Sequence, residues 1–232
     1  MKICVFSDIH GNYDALKLLA DSEDFKTADI RICLGDVVIM GPFPNECIQT
    51  LLDNDCIWLM GNHDSYIANG LPKEEFQNFT PDKIAHQEYM INIIKNEFKD
   101  IIKKLPKDYL LEFNNKKIYF THYVWETWDN VIDIPDVPTE ENISKIFKNI
   151  DARYIFYGHE HKFSHFNDLN KEYICVDSLG LKHPGHYSII DIDEFENVKI
   201  THKKIYYDVE KCKLNALRLG YPSAKKYVGF LE

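Results

Sequence analysis

Five short clusters in this chain carry residue types that bind and use divalent metal ions. They are Asp8 and His10 in SDIHGN, Asp36 in LGD, Asn62, His63 and Asp64 in MGNHD, His122 in THY, and His159 with His161 in YGHEH. Carboxylate, imidazole and amide oxygen together form a borderline donor set suited to Mn, Fe, Zn, Ni or Co; an all-oxygen set would favour Mg or Ca. A carboxylate shared by two such ions can hold them ~3.5–4 Å apart, the spacing of hydrolytic two-metal sites. Such a pair lowers the pKa of a shared water, presents hydroxide to an electrophile and neutralises negative oxygens. A histidine beside the ligands, but not among them, can protonate a leaving oxygen.

Singly, each cluster has an ordinary reading. Loops commonly carry Asp and His, Gly35-Asp36 suits a turn with a helix cap, and Gly61-Asn62 is a frequent turn dipeptide. His122 alone fits a satisfied core histidine. Their shared placement argues against coincidence, because each cluster follows a predicted strand, and open α/β sheets bind ligands beyond the carboxyl ends of their strands. Asp8 and His10, two apart, point the same way if the chain is still extended there.

The elements that must deliver these clusters alternate in the first sixty residues. Strands are expected over Ile3–Phe6, Ile30–Leu34 and Cys56–Leu59, with helical spacing at Leu16, Leu18 and Leu19 and again from about Pro44 to Leu52. This β-α-β-α-β series implies a parallel sheet with right-handed crossovers. Ile84, Ile91, Ile94, Phe98, Ile101 and Leu105 then mark one or two amphipathic helices. After Pro106, Tyr109–Phe113 and Lys117–Thr121 flank Asn114-Asn115 as a hairpin. A helix near Glu140–Asn149 and a strand at Tyr154–Tyr157 follow. Paired strands are expected near Phe163–Phe166 with Tyr173–Val176, and Tyr187–Ile192 with Val198–Lys203, before a helix over Val209–Leu219. The pattern reads as a single α/β domain over residues 1–232 whose second half is mainly antiparallel.

At 232 residues with 45% hydrophobic content, the chain supports a real core rather than disorder. No apolar run approaches the ~20 residues of a membrane span, and the N-terminal strand broken by Asp8 does not fit a signal peptide. A net charge of −10 argues against a surface built to hold long nucleic acids, but leaves room for small phosphorylated substrates. Six scattered cysteines without a C-x-x-C pair suit reduced core thiols in the cytoplasm. Oligomeric state is not legible.

The ordered series D-x-H, G-D, G-N-H-D, H and G-H-x-H resembles the calcineurin-like metallophosphoesterases, and the likeness runs from Lys2 to about Ile192. The layout is most similar to the compact branch that includes YfcE-like phosphodiesterases. The resemblance implies a four-layer α/β/β/α sandwich of two mixed sheets with a dinuclear metal site at the carboxyl ends of the strands. It implies that Asp8, His10, Asp36 and His161 hold one ion, and Asp36, Asn62, His122 and His159 the other. Mn is the first choice for both, with Fe, Zn, Ni or Co as alternatives. His63 would then be the proton donor, with Asp64 orienting its ring.

The implied activity is hydrolysis of a small phosphodiester or phosphomonoester, nucleotide-like, by a metal-bridging hydroxide. Two rivals are hydrolysis of a phosphoanhydride such as a dinucleoside polyphosphate, and a metal-dependent scaffold or sensor without catalysis. The segments GDVVIMG and GNHD lack the arginine of the protein-phosphatase pattern G-D-x-V-D-R-G, which demotes that activity. VDSLGLKHPG stands where compact relatives commonly carry N-P-G-S. Tyr123, Trp125 and Trp128 after His122 either cap the core or line a base-stacking pocket. His86, His165, His183, His186 and His202 match no motif and are expected to be surface or packing residues.

Overall fold

The computed structural model describes residues 1–71, 79–113, 116–127, 131–132, 135 and 137–231. The Asn114-Asn115 turn and Trp128 lie outside the described residues.

Strand β1 (Lys2–Phe6) shows why layers form on both of its faces. Ile3 and Val5 enter one apolar cluster, Cys4 and Phe6 another, and all four are fully buried. A strand apolar on both faces must be covered on both. Parallel partners β2 (Ile30–Cys33) and β3 (Ile57–Trp58) follow through α1 (Tyr13–Asp21), the short α2 (Glu23–Lys26) and α3 (Pro44–Asp53). Helix α1 is capped by Asn12, whose side chain accepts from the Ala15 N–H at 3.1 Å. It buries Ala15, Leu16 and Leu19, whereas Leu18, expected on the same apolar face, is exposed.

Next come α4 (Asn62–Asn69), α5 (Pro81–Ile93) and α6 (Asn96–Ile102). Helix α5 buries His86, Gln87 and Met90, and Ile91 packs against the same core cluster, to which Ile94 and Phe98 belong, so the expected apolar spacing marks the inner face of these helices.

Strands β4 (Asp108–Phe113), β5 (Lys116–Thr121), β6 (Tyr154–Tyr157), β7 (Ser164–Asn167) and β8 (Glu172–Cys175) form a second sheet in the order β4-β5-β6-β8-β7. Its central β5, β6 and β8 are parallel, and only β4 and β7 run antiparallel to their neighbours. This sheet is therefore mixed, with its antiparallel pairs at the two edges. Helix α7 (Glu140–Ile146) supplies the β5–β6 crossover and permits the parallel pairing.

The hairpin β9 (Gly185–Ile192) and β10 (Val198–Ile205) returns to the first sheet, beside β1, giving β10-β9-β1-β2-β3. Helices α8 (Val209–Leu219) and α9 (Ala224–Phe230) end the chain.

The two mixed sheets pack face to face through Ile3, Val5, Ile32 and Ile190 on one side and Phe120, Phe156, Ile174 and Val176 on the other. Burying each such side chain contributes roughly 1.5–3 kcal/mol. Outside, α1 and α3 cover the first sheet, and Ile143 of α7 with Phe147 covers Tyr157 and Tyr173 of the second. The architecture is the α/β/β/α sandwich. Among the described residues no helix is long and apolar enough to cross a membrane.

Candidate metal centre

All five polar clusters reach one edge of the sandwich, and the loops that carry them are knitted together by backbone. Asp8 N–H donates to Gly35 O at 3.0 Å, His10 N–H to Asp36 O at 2.9 Å, and Gly158 N–H to His122 O at 2.9 Å. Side chains complete the knitting: His159 N–H donates to Asp8 Oδ2 at 3.1 Å and His63 N–H to Asp36 Oδ1 at 2.8 Å.

The local geometry differs from an extended continuation of β1. Asp8 and His10 have φ values of +55° and +49°, Asp36 has +53°, and His159 and His161 have +70° and +49°. Convergence therefore comes from successive left-handed turns, not from strand alternation. Such backbone is costly for residues with a Cβ and clusters at functional sites. Close approach also constrains the glycines. A Cβ at Gly61 would overlap the Asp36 backbone and carboxylate, and one at Gly158 would overlap Ser7.

Two donor groups result, sharing Asp36. Asp8, His10, Asp36 and His161 place one donor atom each within 4.8 Å of one another, as do Asp36, His122 and His159. In the first, His10 Nε2 lies 3.1 Å from His161 Nε2, which lies 3.1 Å from Asp8 Oδ1. In the second, His122 Nε2 lies 3.4 Å from Asp36 Oδ2 and 3.0 Å from Asn62 Oδ1. Two donors each ~2.1 Å from one ion at a tetrahedral angle stand about 3.4 Å apart, so these separations suit shared cations. Asp8, His10 and His122 are completely buried.

A model of the calcineurin-like phosphoesterase family matches residues 1–163, a span that contains every one of these side chains. The chain belongs to the calcineurin-like phosphoesterases. It is 30% identical over 90% of its length to an uncharacterized protein of Methanocaldococcus jannaschii, covering 89% of that protein. Among solved structures, it resembles a hypothetical protein of Pyrococcus horikoshii OT3, with a TM-score of 0.84, 17% identity, and 99% and 97% of the two chains covered. It also resembles a metallophosphoesterase from Sphaerobacter thermophilus, with a TM-score of 0.74, 19% identity, and 99% and 98% covered. The family makes the chain a metal-dependent hydrolase of phosphoric esters.

The electrostatics suit the divalent metals of this family. Burial opposes the charge on Asp8 and Asp36, but the surrounding imidazoles outweigh it, and both carboxyls are held below their usual range. Burial opposes the charge on His122 too, yet Asp36 and Asp8 raise that ring to about 9. Without a cation, buried carboxylates lean on imidazolium for compensation; divalent ions provide that charge and displace the protons.

His63 stands at the rim, its Nε2 3.9 Å from Asp36 Oδ2 and its side chain 27% exposed. Burial and the neighbouring histidines pull its pKa to about 3, against the attraction of Asp36.

Asp64 departs from the sequence expectation: it does not orient the His63 ring. Its carboxylate accepts from the N–H groups of Asp36, Val37, Val38 and Gly61 at 2.9–3.3 Å and from Trp58 Nε1 at 3.3 Å. His63 Nδ1 has no hydrogen-bond partner among the described residues. Burial and the Asp36 charge raise the Asp64 pKa to about 7, while its donors oppose them; with only N–H groups facing both oxygens, the geometry accepts the carboxylate. Asp64 thus sits in the first turn of α4 and braces the Asp36 loop.

Beside His63 opens a cavity of about 220 Å³ lined by Ile39, Met40, Tyr66, Phe79, Lys83, His86, Gln87 and Lys226, among others. Gln87 is 4% exposed, and its Nε2 has no partner among the described residues. His86, expected to be a surface or packing residue, is a packing one: it accepts from Met40 N–H at 3.1 Å and donates to Pro222 O at 2.6 Å, fixing the cavity wall. Trp125 does not line this cavity; it lies 4.2 Å beneath Lys107 Nζ, packed against the core.

Proposed function

We propose that the chain hydrolyses a small, nucleotide-like phosphodiester or phosphomonoester with two divalent transition-metal ions, Mn first among the candidates. In this reading Asp8, His10, Asp36 and His161 hold one ion; Asp36, Asn62, His122 and His159 hold the other. Such ions supply Lewis acidity toward phosphoryl oxygens and an acidified water. The observation that carries the reading is the placement of His63, beside the shared Asp36 on one side and the 220 Å³ cavity on the other. A phosphoryl group at the centre puts its leaving oxygen toward His63 and the rest of the substrate into the cavity.

His63 holds a proton for that oxygen. A negative phosphoryl group beside the ring favours the imidazolium that donates this proton. Tyr66 and Phe79 offer apolar walls to a ring, and Gln87 offers an amide. Asp36 positions His63 through its backbone N–H as well as joining the two donor groups.

The cationic Lys83 and Lys226 at the same cavity favour a leaving group that bears its own negative charge, which supports phosphoanhydride hydrolysis as the second reading. A single domain over 1–232 is supported by β9 and β10 completing the sheet begun by β1. Six free cysteines, five of them buried, support a reducing compartment such as the cytoplasm.

The test is a Mn-supplemented screen of bis-p-nitrophenyl phosphate, p-nitrophenyl phosphate, nucleoside monophosphates and dinucleoside polyphosphates. Ester turnover exceeding anhydride turnover supports the first reading and the reverse supports the second. No turnover with either class, on metal-loaded protein, would favour a scaffold or sensor.

A further inference from the structure

Three side chains outside the five metal-ligand clusters meet at the same edge of the sandwich. Asp177 follows β8 with φ +68° and is 3% exposed. His186 lies near the start of β9 and His202 near the end of β10. The register pairs Ser188 with His202 and His186 with Lys204, so both histidines share one face of the hairpin, a diagonal step apart. Their rings stack with centroids 5.1 Å apart, and Phe163 stacks on His202 at 3.8 Å.

The donor atoms of this trio converge. Lys182 Nζ, at 2.9 Å, and Ser178 N–H, at 2.7 Å, occupy Asp177 Oδ1. Oδ2 instead faces His186 Nδ1 at 3.3 Å, where that nitrogen makes no hydrogen bond. His202 Nδ1 meets Ser188 Oγ at 3.2 Å, and its buried Nε2 has no partner among the described residues. One donor from each residue lies within 4.8 Å of the others. The Oδ2 to Nδ1 separation is close to the about 3.4 Å expected for two donors on one tetrahedral ion.

We propose that Asp177, His186 and His202 form a third cation site, separate from the two groups that share Asp36. Two imidazoles and one carboxylate suit Zn and its neighbours, Co and Ni, better than Mg or Ca. Asp177 follows a strand of one sheet, whereas both histidines belong to the other. A bound ion would therefore clasp the sheets together at the edge where the catalytic loops emerge. It would also brace the first donor group, because Ser178 Oγ, next to Asp177, donates to Asp8 O at 2.8 Å.

The experiment strips the full chain of metal, reloads it with Zn, removes free ion by desalting and counts bound ions per chain. Wild type should retain three and His202→Ala two. His202→Phe keeps the stacking on Phe163 while removing the donor, so it should also hold two and should fold if truncation to alanine does not. Each of Asp36→Asn and His202→Phe should keep a Zn-dependent rise in melting temperature smaller than wild type's, the first from the third site alone and the second from the Asp36 centre alone. Equal ion counts in wild type and a folded His202 variant would overturn the proposal. That result would not bear on the ester-hydrolysis screen, which probes the Asp36 centre.

Discussion

The centre around Asp36 and the cavity beyond His63 adjoin, yet they are built by opposite rules. The centre draws on five loops at strand ends, locked by backbone hydrogen bonds and left-handed turns, with its principal carboxylates completely or almost completely buried. The cavity draws on α4, α5, the Ile39-Met40 turn and the C-terminal segment, with lysines and apolar rings at its wall. In the proposed reading, reaction geometry rests on the sheet edge, where an error of about 1 Å is costly, and selectivity on helices that can vary without disturbing it. Substitutions in the first region should affect chemistry, and those in the second should affect which substrate is accepted.

The largest effect is expected at Asp36, common to both donor groups. Asp36→Asn should empty both metal positions and cost about 10⁴-fold in activity, equivalent to about 5.5 kcal/mol. Elemental analysis beside a rate assay checks this; full metal content with full activity would remove Asp36 from its shared role.

His63 stands on the boundary, and its variant should show it. His63→Ala should leave metal content unchanged and lower kcat roughly 10²–10³-fold for an alkoxide leaving group, but much less for p-nitrophenolate. A uniform loss at matched metal occupancy would assign the ring to positioning the phosphoryl group instead.

Asp64 sharpens the comparison from beneath. Asp64→Asn turns an NH₂ toward donors that need an acceptor, which should cost about 1–3 kcal/mol of stability and weaken metal retention. Thermal melts and metal counts measure both. The contrast between good and poor leaving groups should persist, because Asp64 does not touch the His63 ring.

The smallest effects belong to the cavity. Lys83→Ala or Lys226→Ala should raise KM about tenfold, near 1.4 kcal/mol, for substrates with a charged leaving group, and leave kcat nearly unchanged. Equal changes for p-nitrophenyl phosphate and a nucleotide substrate would deny the cavity a selective role.

The sequence by itself determined the α/β order of the first three strands and the strand-end position of every polar cluster; the division of the donors into two groups was what the family resemblance implied. Those features are local: the motif residues lie within a few positions of the strands that carry them, and strand ends converge wherever a sheet forms. The tertiary structure decided what depends on distant partners. Asp64 meets Val37 and Val38 across more than twenty positions rather than the histidine beside it. His86 and Gln87 are buried on α5 beside the apolar stripe of Ile91 and Ile94, two polar positions that hydrophobic spacing does not mark. Asp177, His186 and His202 gather only because a hairpin late in the chain returns to β1 and brings its face against the other sheet. Backbone hand was also beyond the sequence pattern: Asp8 and His10 read as alternating strand residues, but pairing of their loop with Gly35 and Asp36 holds both in left-handed turns. Local spacing specifies which groups can reach an edge, while packing between distant segments sets the contacts each group makes there.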